Sequence, residues 1–246
     1  MPLLARGASV AVVSDGPLTR RTSLVRIGGF VAGVLGLTGL RASVADSAFE
    51  QSVRPAGVAS GAVACVLTPE QTEGPYYIAG ERIRHDITDG KPGVPLTLRA
   101  IVVDASTCGP IARAAVDVWH ADAGGVYSGF GAGSANRTFL RGIQRTNARG
   151  LASFKTIYPG WYPGRTVHIH VKVHIGGNVV HTGQLYFRDA LTDAVYERAP
   201  YDERPGRDTR NATDSVFRNG GRQSLLSVRK HGRGYVATIT MGVHRS

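Results

Sequence analysis

The sequence predicts an all-β fold, a β-sandwich with long functional loops and little helix. Short runs of β-branched and apolar residues recur at close intervals, and turn-forming clusters rich in Gly and Asn separate them. No long stretch shows the apolar periodicity of an amphipathic helix. Many short strands without long helices favour a sandwich over an α/β fold. The predicted strands are 96–103, 115–121, 152–157, 167–175, 184–187 and 235–243.

The segments around these strands complete the predicted organisation. One domain is expected over residues 68–246, preceded by a loose arm of small residues at 46–67. One short helical turn is expected at 191–198. Residues 200–222 are polar, which predicts a long ordered loop, and long loops in compact domains tend to be functional.

Residues 1–45 have the features of an export signal. Arg20 and Arg21 precede a weakly apolar, glycine-containing run at 27–40, and Ser43-Val44-Ala45 supplies small residues at which a signal peptidase could cut. The paired arginines and low hydropathy favour the twin-arginine route, with an ordinary secretory leader or an N-terminal anchor as alternatives. The apolar run is too short and too polar for a typical transmembrane helix. We therefore expect a periplasmic or extracellular protein without stable membrane insertion after the leader is removed.

The cysteine pair agrees with export. Cys65 and Cys108 both follow the leader, and their spacing fits no zinc ribbon. In an oxidising compartment an even pair predicts a disulfide, with two unpaired thiols as the alternative.

Composition narrows the classes of partner. The chain has 246 residues, 42% of them hydrophobic, which suffices for one domain with a core and a leader. Lys and Arg outnumber Asp and Glu by 29 to 18, but the basic residues are scattered and form no stripe. Nucleic-acid binding is therefore disfavoured. A basic surface suits anionic, carboxylated small molecules at least as well.

A His-x-His motif is the strongest chemical signal. His168 and His170 alternate with Ile169 and Val171, so a strand would send both imidazoles to one face and the aliphatic side chains to the other. Two imidazoles one strand repeat apart can bind one metal ion. Taken alone, such a pair is more often made of half-buried packing residues, so the neighbouring residues decide between the two interpretations.

Two tyrosines supply further donors. Tyr127 follows the strand at 115–121 on a glycine turn, and Tyr162 lies on the Pro-Gly loop that precedes His168. Phenolate oxygen is hard and electron-rich, which favours a ferric ion, whereas softer divalent metals more often recruit Cys or a His-carboxylate set. The set also differs from the two-His-one-carboxylate pattern of ferrous oxygenases.

Five segments, in order and at compatible spacing, resemble the intradiol ring-cleavage dioxygenases, in particular the exported single-domain branch that is similar to protocatechuate 3,4-dioxygenase. The resemblance covers residues 68–190. The matching segments are Thr72-Glu73-Gly74-Pro75-Tyr76-Tyr77, Asp117 to Ala121 with Gly124 to Tyr127, Thr156 to Pro163, Arg165 to His170, and Gly183-Gln184-Leu185-Tyr186-Phe187.

The resemblance implies a ligand set and a reaction. One ferric ion per chain would be held by Tyr127, Tyr162, His168 and His170, with Tyr162 favoured over Tyr158. A catechol would displace the Tyr162 phenolate, which would then accept a substrate proton. Dioxygen would open the ring between the two hydroxyl-bearing carbons, giving a cis,cis-muconate.

The resemblance also assigns residues around the substrate. Arg165 would stabilise negative charge on the substrate, and Gln184 would line the pocket. Tyr76 and Trp161 are candidate pocket walls, and His120 is expected behind the ligands or in the core. The catechol itself and the oligomeric state stay open, although an exported enzyme is expected to accept larger catechols.

Two other classes of function are compatible with parts of the sequence. A secreted β-sandwich module could bind sugars or aromatic polymers through its aromatic loops without turnover, and fold alone would not exclude it. A metal hydrolase or ferrous oxygenase would need a carboxylate ligand. Asp117 and Asp122 flank the strand at 115–121, but the family pattern does not use them as ligands.

Overall fold

A computed structural model of the protein describes residues 65–131 and 133–245. The predictions for the leader at 1–45 and for residues 46–64 of the arm lie outside the described residues. Within them, the strands are β1 Pro95–Asp104, β2 Ala115–Trp119, β3 Arg141–Arg145, β4 Leu151–Ile157, β5 His168–Ile175, β6 Asn178–Tyr186, β7 Ser227–His231 and β8 Gly234–Val243. The helices are α1 Asp189–Tyr196 and α2 Ser215–Arg218, with 3-10 turns at Tyr201–Glu203 and Gly221–Ser224.

The strands form two four-stranded sheets, which confirms the predicted all-β fold class. The first sheet has the order β4-β1-β8-β7 and the second the order β3-β2-β5-β6. Neighbouring strands are antiparallel except for the parallel pair β1 and β8. Two sheets whose apolar faces meet bury a shared core between them.

That core comes from alternate positions of the strands. In β1, Leu96 and Leu98 are buried while the intervening Thr97 is half-exposed. In β5, the side chains that face the core are Ile169, Val171 and Val173, all fully buried. Because successive side chains point to opposite faces, His168, His170 and Lys172 then lie on the outer face of the second sheet. They are buried there as well, so loops must cover this face.

The structure corrects several predicted bounds. The strands β3 and β7 were not predicted, β2 ends at Trp119 rather than at 121, and β6 begins at Asn178 rather than at 184. The arginines of β3 and the exposed polar side chains of β7 lack the alternation on which the prediction relied. The short helix is present as α1, two residues earlier than predicted, and the predicted loop at 200–222 is folded around α2 and the two 3-10 turns.

The start of the described region is tied to the domain. Cys65 and Cys108 form a disulfide, as the sequence predicted. The Thr68 amide donates to the Gly242 carbonyl at 2.9 Å, which joins this segment to β8. None of the helices in the described residues has the length and hydropathy that a membrane crossing needs.

Candidate metal centre and active site

Asp122 organises the turn that presents Tyr127. Its Oδ1 accepts hydrogen bonds from the amides of Gly124 at 3.0 Å and Val126 at 2.9 Å, and its Oδ2 accepts from Lys91 Nζ at 2.6 Å. An aspartate that bonds the backbone two residues ahead is a common way to fix a turn. Asp122 therefore serves the site by shaping the backbone just before the tyrosine.

The loop that carries Tyr162 packs backbone to backbone against this turn. The Gly160 amide donates to the Asp122 carbonyl at 3.0 Å. A Cβ at Gly160 would collide with the Asp122 and Ala123 carbonyls, and a Cβ at Gly125 would collide with the Trp161 carbonyl. The glycines in the two motifs are thus required for the loops to approach, and this approach brings Tyr127 and Tyr162 together.

The two histidines of β5 are oriented by different partners. His168 Nδ1 lies 2.6 Å from the Thr166 carbonyl oxygen, which can only accept, so Nδ1 carries the proton and Nε2 keeps its lone pair. The His170 ring is stacked on Trp119, with centroids 4.9 Å apart and planes 3° apart. Gly74 lies against the edge of the same ring, where a Cβ would be 3.1 Å from Cε1. Both rings are held with Nε2 toward the same point.

The four predicted donors form one cluster. His168 Nε2 lies 3.1 Å from His170 Nε2 and 3.2 Å from the Tyr162 hydroxyl. The Tyr127 ring centroid is 5.6 Å from that of Tyr162 and 6.1 Å from that of His170. The Tyr127 hydroxyl is buried without a hydrogen-bond partner of normal geometry within the described residues. Four donors from three segments of the chain therefore converge.

Burial keeps all four groups neutral in the absence of a cation. Burial, and to a smaller extent the positive charge of the nearby Arg165, lowers the pKa of His168 to about 3. Burial, and to a smaller extent the charge interaction with His168, lowers the pKa of His170 well below its ordinary value. Desolvation raises the pKa of both Tyr127 and Tyr162. Neutral imidazoles are ready to bind a metal, whereas the phenols would need a bound cation to ionise.

The donor arrangement fits a metal ion. Two nitrogens each about 2.1 Å from one ion and at about a right angle would be separated by about 3 Å, and the observed separation of the two Nε2 atoms is 3.1 Å. The buried Tyr127 hydroxyl has no hydrogen-bond partner of normal geometry among the described residues, and its nearest polar neighbour is the Tyr162 hydroxyl. No three of the described His, Cys, Asp and Glu residues converge as a possible metal site. The additional donors beside the histidine pair are therefore phenols.

Arg165 lies beside this cluster in a polar network. Its Nε donates to Asp214 Oδ2 at 2.8 Å and its Nη2 donates to Gln184 Oε1 at 2.5 Å. Gln184 in turn donates to the Thr72 carbonyl at 2.9 Å, and its Oε1 accepts from the Tyr186 hydroxyl at 3.1 Å. The structure thus brings the predicted Arg165 and Gln184 together at one edge of the donor cluster.

The two predicted pocket walls differ in their surroundings. The Tyr76 ring is stacked on Tyr127, with centroids 4.3 Å apart, and meets Tyr162 edge-on at 6.1 Å. Trp161 instead packs against the main core, and its indole Nε1 donates to the Arg204 carbonyl at 3.1 Å. Tyr76 therefore borders the donors directly, whereas Trp161 supports the outer side of the Tyr162 loop.

Other residues weighed from the sequence have structural roles. The buried Tyr158 hydroxyl bonds Thr192 at 2.7 Å and its ring packs on Phe187. It therefore lies in the core rather than with the histidines. His120 is buried just after the end of β2, with Nε2 2.7 Å from Thr156 Oγ1.

Sequence reasoning missed two buried charges. Arg141 is 1% exposed and donates to the carbonyls of Tyr76 and Ser128, both at 2.7 Å, which fixes the segments on either side of Tyr127. Asp214 holds Arg165 from the segment after α1. A helix-capping pattern at Asp214 was the available signal for α2, but nothing in the sequence linked it to Arg165.

Comparison with known proteins places the chain in a family. The family model described as "Dioxygenase" matches residues 72–197, just over half of the chain. An intradiol ring-cleavage dioxygenase of Tetranychus urticae is 34% identical, with a TM-score of 0.71 over 74% of this chain and 96% of that chain. The dioxygenase domain of a carbohydrate-binding fusion protein from Streptomyces sp. SirexAA-E is 36% identical, with a TM-score of 0.58 over 74% of this chain and 100% of that domain.

Curated enzymes match a shorter stretch. Catechol 1,2-dioxygenase 1 of Acinetobacter lwoffii is 36% identical over 101 residues, which are 39% of this chain and 32% of the relative. The second catechol 1,2-dioxygenase of that organism is 35% identical over 48% of this chain and 41% of its own length. The chain thus spans about a third to two-fifths of the length of these relatives. From the family match, the related structures and the two-sheet fold, the chain belongs to the intradiol ring-cleavage dioxygenase family.

Proposed function

We propose that the protein is a non-haem ferric dioxygenase that opens a catechol ring between its two hydroxyl-bearing carbons with O2, giving a cis,cis-muconate-type product. One observation carries this proposal. His168 Nε2 lies 3.1 Å from His170 Nε2 and 3.2 Å from the Tyr162 hydroxyl. The buried Tyr127 hydroxyl, which has no hydrogen-bond partner of normal geometry in the described residues, lies beside them. Two phenols and two imidazoles are a donor set that favours ferric iron. Membership of the family supports the same chemistry.

The four donors would hold one ferric ion per chain, and the ion would act as a Lewis acid that draws electron density from a bound catecholate. The two tyrosines have different exposures. Tyr127 is 4% exposed and stacked under Tyr76, whereas Tyr162 is half-buried. Tyr162 is therefore the phenol that can move aside for the substrate and accept one of its hydroxyl protons.

Arg165 would stabilise the negative charge that develops on the substrate oxygens. Its guanidinium is fixed by Asp214 and Gln184 at one edge of the donor cluster. A preorganised cation in a site from which water is excluded acts without rearrangement during the reaction. Tyr76, whose ring lies between Tyr127, Tyr162 and Phe130, would provide an aromatic wall against which a catechol ring can pack.

The proposal also covers the substrates and the location, the latter from the export signal in the sequence. The substrates would be a small catechol-type molecule and O2, met outside the cytoplasm after export. Because the donors fix only the catechol hydroxyls, catechol, protocatechuate, hydroxyquinol and plant or lignin-derived catechols are all candidate substrates. We expect the larger ones to be accepted, and strict specificity for protocatechuate would contradict this expectation.

The test is ring opening by the iron-loaded protein. With catechol under labelled dioxygen, we expect O2 uptake equal to catechol consumption and both labelled atoms in the muconate-type product. Tyr162→Phe should lower turnover strongly, while Tyr158→Phe is the matched control, because Tyr158 lies four residues away with its hydroxyl on Thr192. Absence of O2 uptake with every candidate catechol, in protein that has bound iron, would reject the proposed function and favour a binding module.

A further inference from the structure

A segment that follows the matched family region contacts each of the chain segments that carry the donors. The residues 201–219 follow α1 and lie outside the match at 72–197. This segment contacts the Tyr127 turn, the Tyr162 loop and the start of β5 through polar side chains. The contacts are Arg204 to the Gly124 and Trp161 carbonyls, Asp208 to the Gly164 amide, Asn211 to the Thr166 hydroxyl, and Asp214 to Arg165 and the Thr166 amide.

Asp214 is the most deeply buried charge of this segment. Its side chain is 0% exposed, against 18% for its partner Arg165. Its Oδ2 accepts from Arg165 Nε and from the Thr166 amide, both at 2.8 Å. The Thr166 carbonyl in turn holds the Nδ1 proton of His168. One carboxylate oxygen is therefore linked to the substrate-side arginine and to the residue that orients a histidine donor.

The other oxygen of Asp214 has a separate role. Its Oδ1 accepts from the Phe217 amide at 2.7 Å and caps the N-terminus of α2. Capping is a local structural function that asparagine and serine perform as well as aspartate. The two functions of Asp214 are therefore assigned to different oxygen atoms, and a substitution can remove one and keep the other.

We propose that Asp214 is a positioning residue for the reaction, which holds the Arg165 guanidinium in the orientation that stabilises the anionic substrate. The inference rests on the proposed function. With Nε on Asp214 and Nη2 on Gln184, the guanidinium is fixed in its plane at two points. Its Nη1 has no hydrogen-bond partner among the described residues and is left for a substrate oxygen. A carboxylate that fixes an arginine in this way acts through the arginine and does not touch the substrate.

The electrostatics of Asp214 agree with an ionised partner for Arg165. Burial alone would raise the pKa of Asp214, but hydrogen bonds from the Phe217 and Thr166 amides and from Arg165 lower it below its ordinary value. These bonds therefore favour the ionised carboxylate beside Arg165. Its negative charge also offsets the cost of burying the guanidinium.

The test is Asp214→Asn in the iron-loaded enzyme. Asparagine keeps the cap on α2, but its amide cannot satisfy both hydrogen-bond donors that Oδ2 now accepts. We expect iron content and the visible spectrum to stay at wild-type levels. The Kd for catechol without oxygen should stay within about threefold, while kcat falls by about 10- to 100-fold, since the lost interaction acts on charge that develops in the transition state.

A double-mutant cycle with Arg165→Met separates positioning from general damage. If Asp214 acts through Arg165, Asp214→Asn should change kcat by less than about twofold in the Arg165→Met background. Asp208→Asn is the matched control: it lies on the same segment and accepts from the Gly164 amide at 3.1 Å without contacting Arg165. This variant should retain wild-type kcat.

Two results would overturn the inference. One is an active wild-type enzyme whose kcat is unchanged by Asp214→Asn, and the other is an equal loss of kcat with and without Arg165. If the wild-type protein itself fails to open catechol, the proposed function fails first and the inference with it. Should Asp214→Asn not fold, Asp214→Ser carries the same comparison, because serine also caps helices.

Discussion

The two sheets of the sandwich have the same number of strands but different outer faces. In the first sheet, β1 alternates buried and half-exposed positions and β7 is mostly exposed, so one face meets the core and the other meets solvent. In the second sheet, β5 is buried at six successive positions. Its inner face is aliphatic, and its outer face, covered by loops, carries the histidine pair. The second sheet therefore packs against the core with its inner face and carries the candidate site on its outer face.

This difference has an energetic cost. Four buried polar atoms without a partner in the described residues belong to Asp117, Trp119, Tyr127 and His170, on or above the outer face of the second sheet. A buried polar group without a hydrogen bond costs about 1–3 kcal/mol. The inner faces, by contrast, bury mainly aliphatic and aromatic side chains such as Leu98 and Val171. The site is thus built at the expense of stability, and the comparison can be tested by substitutions on each face.

The largest expected effect is loss of metal from the outer face. Removing a partner behind a metal ligand typically weakens binding by about 10- to 100-fold, so removing the ligand itself, in His170→Ala, should lower iron content at least as much. The measurement is iron per folded chain after reconstitution and gel filtration. His181→Ala is the control, since His181 is equally buried on the neighbouring strand but lies outside the cluster. Equal iron loss in both variants would contradict the assignment.

A second test uses the carboxyl buried on the outer face. Burial, and to a smaller extent the negative charge of the nearby Glu81, raises the pKa of Asp117 to about 7. Between about pH 4 and pH 7 the folded state then holds a proton on Asp117 that the unfolded state has lost, so the contribution of Asp117 to stability falls as pH rises through this window and is level above it. A shift of this size corresponds to at most about 4 kcal/mol. The free energy of unfolding of wild type minus that of Asp117→Asn should therefore decrease as pH rises from about 4 to about 7, as measured by urea unfolding.

Asp104→Asn on β1 is the control for this test, because the pKa of Asp104 is shifted in the opposite direction. Hydrogen bonds, first of all from the Ser106 amide, lower the pKa of Asp104, so its contribution is present above its unfolded pKa and is lost as pH falls below about 4. This variant should leave the window between about pH 4 and pH 7 unchanged. A wild-type profile that matches that of Asp117→Asn in this window would show that Asp117 is ionised in the folded protein.

A third test concerns the buried guanidinium that supports the loops. Arg141→Met leaves the Tyr76 and Ser128 carbonyls without their donors. We expect the free energy of unfolding to fall by about 3 kcal/mol. Arg145→Met, at the exposed end of the same strand, should change it by less than about 0.5 kcal/mol. Similar values for the two variants would mean that Arg141 does not hold the loops.

The smallest effect is expected from the inner face of the same strand. Ile169 lies between the two histidines in sequence but points into the core. Ile169→Val should cost about 1 kcal/mol of stability and leave iron content unchanged. Iron loss in this variant would show that the two faces of β5 are not independent.

The sequence predicted what depends on local periodicity. Alternation in β5 was enough to place His168 and His170 on one face, because the side-chain period of a strand is two. The Gly124-Gly125 and Pro159-Gly160 turns were recognised locally, and the structure explains them by the contact of the two loops. The resemblance to the family strengthened the grouping of Tyr127 and Tyr162 with the histidines and favoured Tyr162 over Tyr158, which no local pattern could decide.

What the sequence did not predict depends on contacts between distant segments. Strand β3 has an arginine at each end and a glycine at its second position, and it lacks a clear apolar alternation. Its Arg141 is buried only because the Tyr76 and Ser128 carbonyls meet it in the fold. Asp214 is 49 positions from Arg165, so its role emerges only when the segment 201–219 crosses the site.

The visible spectrum of the purified protein, recorded with iron quantified on the same sample, tests the central claim most directly. Ferric iron bound by two phenolates should give a burgundy charge-transfer band that shifts when catechol is added without oxygen. The band should be lost or strongly changed in Tyr127→Phe and in Tyr162→Phe but kept in Tyr158→Phe. A protein that stays colourless after iron reconstitution would contradict the assignment of the outer face of the second sheet as a ferric site.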